Sequence, residues 1–246
     1  MLYKLRRLTN KIEKKFKVSL FFLFPIRIFL VFLESVFLKK SNKFSYIANY
    51  KLDTNKLKNK KLNIISAGVG LDISFEEKIF NNFEINTIVL VDPGEESEQI
   101  VSKKKNFFFE KAALYDVAKK MKIYKQAGNK NLSLENLFNS NQYNLVNTVT
   151  INQIIEKYKI YDLDIIKLDV EGVADKIILN CLKNNILPIQ ICFELERPIK
   201  ISKQVDYFKR FFKTLRLLKK HNYKIYNCTN LKLGLRSEIL AVKNEK

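Results

Sequence analysis

The sequence predicts an α/β protein built on a mostly parallel sheet with helices on both faces. Three observations carry that reading. Apolar runs rich in β-branched residues alternate with helical patterns from Asn63 onward. Residues 62–92 form one βαβ unit: the run Leu62–Ile65, the turn Gly68-Val69-Gly70, an amphipathic helical stretch, and a second run, Ile88–Val91, that ends on Asp92. Finally, Gly68, Gly70, Asp92, Asp169, Glu171 and Glu194 all fall at the carboxyl ends of predicted strands, where ligands of such sheets lie. At 246 residues the chain can bury one core of this kind with a small extension.

The elements follow in order. Residues 18–38 are nearly all apolar and are flanked by basic residues, including Arg6, Arg7, Lys39 and Lys40. Pro25, Arg27 and Glu34 interrupt the run, and Arg27 and Glu34 fall on one helix face. A helix of this kind fits three states: lying in a membrane interface, packing on the domain, or spanning a bilayer with an internal Arg-Glu pair. No small-residue cleavage site follows, which disfavours a secretory signal. We divide the chain into a basic and apolar helical extension, 1–45, and a catalytic domain, 46–246; the polar segment from Ser41 to Lys61 reads as a linker or a cover.

In the βαβ unit, glycine at 68 and 70 lets the backbone turn sharply and approach a ligand without a Cβ in the way. Asp92, 22 residues beyond Gly70, falls where an acid meets ribose hydroxyls. A nucleoside-bearing cofactor is therefore expected. Ile73 replaces the third glycine of a dinucleotide fingerprint, and Asp72 at the mouth would repel pyrophosphate, so a nicotinamide cofactor is disfavoured. A carboxylate there suits a cationic ligand, and S-adenosylmethionine combines adenosine, ammonium and sulfonium with a single carboxylate. Ser74 with Glu77 predicts a capping box, and Phe75, Ile79 and Phe83 form the stripe that packs on the sheet.

Pro93-Gly94 marks a turn, Phe107–Tyr115 a third strand, and Met121–Lys125 a short one. A polar loop runs from Gly128-Asn129 through Asn141. Thr150 with Gln153 caps a helix over Ile151–Tyr158. Asp164–Val170 is a strand delivering Lys167, Asp169 and Glu171 to its end before Gly172; a helix follows over Val173–Asn184, and Ile189–Leu195 is a strand with Glu194 and Glu196 at its end. Lys203–His221 is a long basic helix, and Tyr223–Cys228 with Ile239–Val242 form a closing antiparallel pair.

Composition narrows the chemistry. Cys181, Cys192 and Cys228 show neither metal-ligand spacing nor a paired framework and read as buried thiols of a reducing compartment, which places the protein in the cytoplasm. His221 is the only histidine, so a His-rich zinc site cannot be built and chemistry without a metal is favoured. The net charge of +20 is lopsided: residues 1–61 hold 16 Lys or Arg against Glu13, Glu34 and Asp53. It reflects either a composition rich in Lys, Asn, Ile and Phe or attraction of residues 1–40 toward anionic lipid at the inner face of a membrane. Nucleic acid is the weaker alternative, because no RNA-binding module is visible.

The segments SAGVGLDISFEEKI, VDPGEES, AALYD (112–116), IIKLDVEG and ICFELE together resemble the FkbM family of S-adenosylmethionine-dependent methyltransferases, from about Asn63 to Arg197. Lys167, Asp169, Val170, Glu171 and Gly172 match the family hallmark K-x-D-[VI]-E-G, and Gly68, Gly70, Asp72, Ser74 and Phe75 match its glycine-rich element. The chain departs from the pattern at Ala174, where many relatives are acidic and where Asp175 stands next door, at Asn152, and at Glu196. The resemblance implies a Rossmann-like class I methyltransferase fold with a mostly parallel seven-stranded sheet. It also implies S-adenosylmethionine as cofactor and transfer to a hydroxyl oxygen of a sugar, glycan or lipid-linked acceptor. A nucleic-acid methyltransferase and a cofactor-binding protein without turnover are the alternatives.

On this reading the cofactor contacts are Ser66, Gly68, Gly70, Asp72, Ser74, Asp92, Pro93, Ala112, Ala113 and Asp169. Asp169 and Glu171, alternating on one strand, are the catalytic carboxylates, together with Lys167. Asp169 is expected near the methionine moiety or as the base, and Glu171 at the acceptor or cofactor; the competing expectation pairs both with Lys167 and a neighbouring cation. Glu171, Gly172, Glu194 and Ser133 are the acceptor contacts, with an ion pair at Glu194 and a solvated turn at Ser133 as the alternatives.

Overall fold

The computed structural model describes residues 37–38, 43–125, 132–136, 140–196, 201–228 and 236–244, with backbone alone for 201–205 and 236. The strands in chain order are β1 (Ser45–Ile47), β2 (Tyr50–Leu52), β3 (Leu62–Ala67), β4 (Ile85–Val91), β5 (Phe108–Glu110), β6 (Ala113–Leu114), β7 (Lys120–Lys125), β8 (Leu132–Ser133), β9 (Tyr143–Val149), β10 (Ile165–Leu168), β11 (Gln190–Glu196), β12 (Tyr223–Asn227) and β13 (Arg236–Lys243). The helices are α1 (Ser74–Asn82), α2 (Glu95–Val101), α3 (Ile151–Tyr158), α4 (Ala174–Lys183) and α5 (Ile201–Lys220).

Seven strands form the main sheet in the order β12-β13-β11-β10-β3-β4-β5. β11, β10, β3, β4 and β5 pair in parallel, while β13 runs antiparallel to both β11 and β12. This is the expected Rossmann-like α/β fold. Chain order reverses between β3 and β10, which opens a crevice at their carboxyl ends. Side chains alternate by the period of two. Ile65, Ala67, Ile166, Leu168 and Phe193 enter one core with residues of α3, α4 and α5; Ile64, Leu90, Ile165 and Cys192 enter the other with Phe75 and Ile79 of α1. Burying Phe75 and Ile79 contributes on the order of 1.5–3 kcal/mol each. All three cysteines are free and buried, as expected.

Several local expectations are corrected. The single strand predicted over Phe107–Tyr115 is two: β5 belongs to the main sheet, whereas β6 pairs with β9 in a second sheet of order β6-β9-β7-β8. The segment predicted as a linker or cover contains a hairpin, β1 with β2. The hairpin is clipped to β11 where Gln190 accepts from the Asp53 N–H and donates to the Asp53 carbonyl, both at 2.9 Å. Part of the predicted polar loop is β8. The Ser74–Glu77 capping box does not form: Ile73 is the cap residue, and Asp72 Oδ1 accepts from the Ser74 N–H at 2.9 Å. The Thr150–Gln153 box does form, with Gln153 Oε1 accepting from the Thr150 N–H at 3.0 Å.

Most of the apolar run 18–38 lies outside the described residues. Its last two residues pack on the domain: Leu38 is buried in the core and Phe37 meets Phe212 of α5 edge-on at 5.0 Å. Among the described residues, no helix is long and apolar enough to cross a membrane.

Candidate active site

β3 ends against β10, and that contact shapes the glycine turn. Asp169 donates its N–H to the Ala67 carbonyl at 3.0 Å, and Gly68 donates to the Val91 carbonyl at 3.0 Å. Gly68 has φ +73°, and a Cβ on it would overlap the Asp169 carbonyl oxygen. Gly70 also has a left-handed φ, +59°, but a Cβ there would meet nothing within 4 Å. The first glycine thus closes the strand contact, and the second keeps a space open.

That space belongs to a cavity of about 610 Å³ at the β3/β10 crevice, within the range of sites for molecules of cofactor size. Its walls include Gly68, Gly70, Asp72, Ser74, Asp92, Pro93, Ala113, Lys167, Asp169, Glu171 and Glu194, all predicted from sequence. The structure brings them together. Four other predicted contacts are not on the wall. Ser66 is fully buried and donates to Glu76 Oε1. Ser133 donates to the Glu171 carbonyl at 2.8 Å. Gly172 is buried in the turn after Glu171, with φ +78°, and Ala112 is likewise buried.

Asp92 is 7% exposed. Its Oδ1 accepts from the Gly94 N–H at 2.7 Å and Ser97 Oγ at 2.9 Å, and its Oδ2 from the Gly70 N–H at 3.0 Å. A carboxylate offers about four acceptor sites, so one remains for a ligand hydroxyl. At the mouth of the turn, hydrogen bonds from Ser74 hold the Asp72 carboxyl below its ordinary range, so it stays charged. A cavity with a glycine turn open to it, an acid with spare acceptor capacity and a charged carboxylate at its mouth fits S-adenosylmethionine.

The sequence placed Asp169 and Glu171 on one strand; β10 ends at Leu168, so both lie on the turn that follows. They line the cavity because that turn borders it. Lys167 pairs with neither of them. It is 2% exposed, and its Nζ lies 3.4 Å from Glu76 Oε1 of α1. Among the wall residues that escaped the sequence reading are Tyr50 and Glu238. Tyr50, from the β1–β2 hairpin, donates its hydroxyl to Asp169 Oδ2 at 2.7 Å, and Glu238 of β13 stands directly opposite Glu194 of β11. Burial first, then the charges of Asp169 and Glu194, hold the Tyr50 phenol far above its ordinary range, so it remains a donor.

Behind Glu171 the hallmark turn is clamped from two sides. Glu196 Oε2 accepts from the Gly172 N–H at 2.6 Å, and Arg210 donates to the Gly172 carbonyl at 2.7 Å. Asp175, next to Ala174, binds Arg210 through both oxygens at 2.8 Å. Burial, then the charges of Glu171 and Glu194, push the Glu196 carboxyl well above its ordinary range. Among the described residues there is no cluster of three or more side chains able to hold a metal ion.

The family model described as the methyltransferase FkbM domain matches residues 35–225. No curated protein sequence matches the chain. Among solved structures, the chain is similar to M. capricolum TrmK in complex with S-adenosyl-homocysteine, with 14% identity over 77% of this chain and 66% of that one at a TM-score of 0.43. It is similar to the CurJ carbon methyltransferase, with 8% identity over 76% of this chain and 50% of that one at 0.41. A third is the precorrin-6y C5,15-methyltransferase from Geobacter metallireducens GS-15, with 12% identity over 77% and 85% at 0.41. The chain thus spans under two thirds of the first and half of the second.

Proposed function

Because the chain belongs to the FkbM family of S-adenosylmethionine-dependent methyltransferases, we propose that it methylates a hydroxyl oxygen of a sugar, a glycan or a lipid-linked metabolite. The observation that carries this reading is that Asp169, Glu171 and Glu194 line the same cavity as Gly70 and Asp92. When bound, the cofactor supplies a methyl group on a positively charged sulfur. A hydroxyl that takes this methyl must lose its proton, and a carboxylate beside the cofactor turn is placed to receive it. The remaining contribution is alignment of an in-line displacement in a site shielded from water.

In this assignment Gly68, Gly70, Asp72, Ser74, Asp92, Pro93 and Ala113 form the cofactor side. Glu171 is the catalytic carboxylate, Asp169 stands near the methionine moiety of the cofactor, and Glu194 faces the acceptor. Ser66, Ser133 and Gly172 act through the neighbours they hold, and Ala112 is buried beside Ala113 on the cofactor side. Residues 1–45 are the extension and 46–246 the catalytic domain. Residues 1–40 bring the cytoplasmic enzyme to the inner face of a membrane, a reading supported by their charge and apolar run. Co-sedimentation with anionic vesicles tests it: truncation to residue 37, which keeps Phe37 and Leu38, should abolish binding, and insolubility of the truncated chain would favour packing on the domain.

The catalytic reading is tested with cofactor carrying a labelled methyl group, incubated with glycan, lipid and RNA fractions. Label in an alkali-stable ether of a glycan or lipid is the expected result. Label confined to RNA would overturn the acceptor class.

A further inference from the structure

Among the described residues that line the cavity, Lys167 is the single cation. Its surroundings are unusual for a buried ammonium group. It has three N–H donors, yet it makes one hydrogen bond, at 3.4 Å, to Glu76 Oε1. The Tyr50 and Phe75 rings lie 5.1 Å and 5.8 Å from its Nζ. The partner carboxylate is also under-satisfied: Ser66 Oγ and Lys167 share Oε1, and the buried Oε2 has no hydrogen-bond partner. An ion pair placed out of water with spare capacity on both groups is costly unless something completes it.

Asp169 stands two residues further on and borders the same cavity. Tyr50 spans both groups, its ring beside Lys167 and its hydroxyl on Asp169 Oδ2. That leaves Asp169 Oδ1 with no hydrogen bond among the described residues. A cation and an anion are thus offered side by side, bridged by one aromatic ring. Their complement is a zwitterion, and the cofactor named by the proposed function carries one, the α-amino-acid head of its methionine part.

Resting on that function, we propose that Lys167, Asp169 and Tyr50 form the subsite for this head, with Lys167 taking the carboxylate and Asp169 the ammonium. Tyr50 is a positioning residue. Its hydroxyl fixes one oxygen of Asp169 and leaves the other for the ligand, and its ring, with Phe75, shields the Lys167 charge from water. The N-terminal hairpin is on this account part of the binding site, and the hallmark lysine recognises the cofactor instead of moving a proton.

The test is calorimetric titration of the full chain with S-adenosylmethionine, decarboxylated S-adenosylmethionine and methylthioadenosine, which lacks the head altogether. Wild type should prefer the carboxylated ligand by about tenfold or more, the scale of one charged hydrogen bond. Lys167→Met should erase that preference and leave methylthioadenosine binding unchanged. Tyr50→Phe keeps the ring and removes the hydroxyl; it should weaken the two amine-bearing ligands by the same factor and spare methylthioadenosine. Equal affinity of wild type for the carboxylated and decarboxylated ligands overturns the subsite even if Lys167→Met does not fold. So does a folded Lys167→Met variant that loses all three ligands alike. Binding of none of the three by wild type would instead sink the cofactor reading itself.

Discussion

Asp92 accepts the Gly70 backbone N–H at 3.0 Å, which ties the acid at the end of β4 to the glycine turn after β3. The two parts of the βαβ signature are therefore one unit, and removing the carboxylate has two effects. Asp92→Ala takes away the proposed ribose acceptor, so cofactor affinity should fall by roughly 1.5–3 kcal/mol on the scale of charged hydrogen bonds. It also leaves the Gly70 and Gly94 N–H groups without their acceptor, so the thermal midpoint should fall as well. Calorimetry with S-adenosyl-homocysteine and a melting curve separate the two. Unchanged affinity would remove Asp92 from the site.

The two glycines should fail in different ways. In Gly68→Ala the new Cβ overlaps the Asp169 carbonyl, which is backbone and cannot move aside without parting β3 from β10. We expect a protein that does not fold or melts far below wild type. In Gly70→Ala the Cβ meets no atom within 4 Å, so folding bears only the left-handed backbone cost, about 1–2 kcal/mol. The methyl group points into open space at the cavity, so cofactor binding should weaken in a protein that remains folded. A folded, cofactor-binding Gly68→Ala would contradict this division.

The contrast between these glycines is legible only in three dimensions, and the same holds for much that the sequence left unread. The central strands could be read because buried parallel strands are continuous apolar runs: Leu62–Ala67 and Ile165–Leu168 are buried at every position. β9 could not, because Tyr143–Val149 has one buried residue, the polar Thr148, and holds no continuous apolar run. Phe107–Tyr115 looked like one strand because nothing in its composition shows the chain leaving the main sheet after Glu110. Gly68, Gly70, Asp169 and Glu171 of the cavity wall were readable because the motifs that contain them are local in sequence. Tyr50 was not, since 119 residues separate it from Asp169 and its neighbours resemble a polar linker. The Ser74–Glu77 box failed because Asp72 had already taken the Ser74 N–H.

Arg210 binds three groups around the hallmark turn: Asp175, Glu135 at 3.3 Å, and the Gly172 carbonyl. Asp175 has a side chain only 4% exposed, so removing Arg210 strands a buried carboxylate. A fully buried pair broken this way costs about 3–5 kcal/mol; because 36% of the Arg210 side chain is exposed, we expect a smaller loss, on the order of 2 kcal/mol, for Arg210→Ala in urea unfolding. Lys would keep the charge but not the two parallel bonds to Asp175, and Arg210→Lys should recover only part of the loss. Full recovery by lysine would show that charge alone matters there.

Glu196 makes stability depend on pH in a direction opposite to that of an ordinary paired carboxylate. Burial, with Glu171 and Glu194 nearby, raises its folded-state value even though the Gly172 N–H opposes the shift and the Arg210 charge lies close. Below the unfolded-state value both states hold the proton, and Glu196 contributes no slope. Once the pH passes that point the unfolded chain releases the proton while the folded protein keeps it, so stability falls as pH rises until the folded group ionises too. Glu196→Gln retains an oxygen for the Gly172 N–H and cannot ionise. Its melting temperature should match wild type in acid and exceed it by a growing margin above about pH 5. If the variant instead melts lower than wild type at pH 8, where that margin should be largest, the folded protein uses the Glu196 charge, and the carboxyl is held ionised by its neighbours instead of suppressed by them.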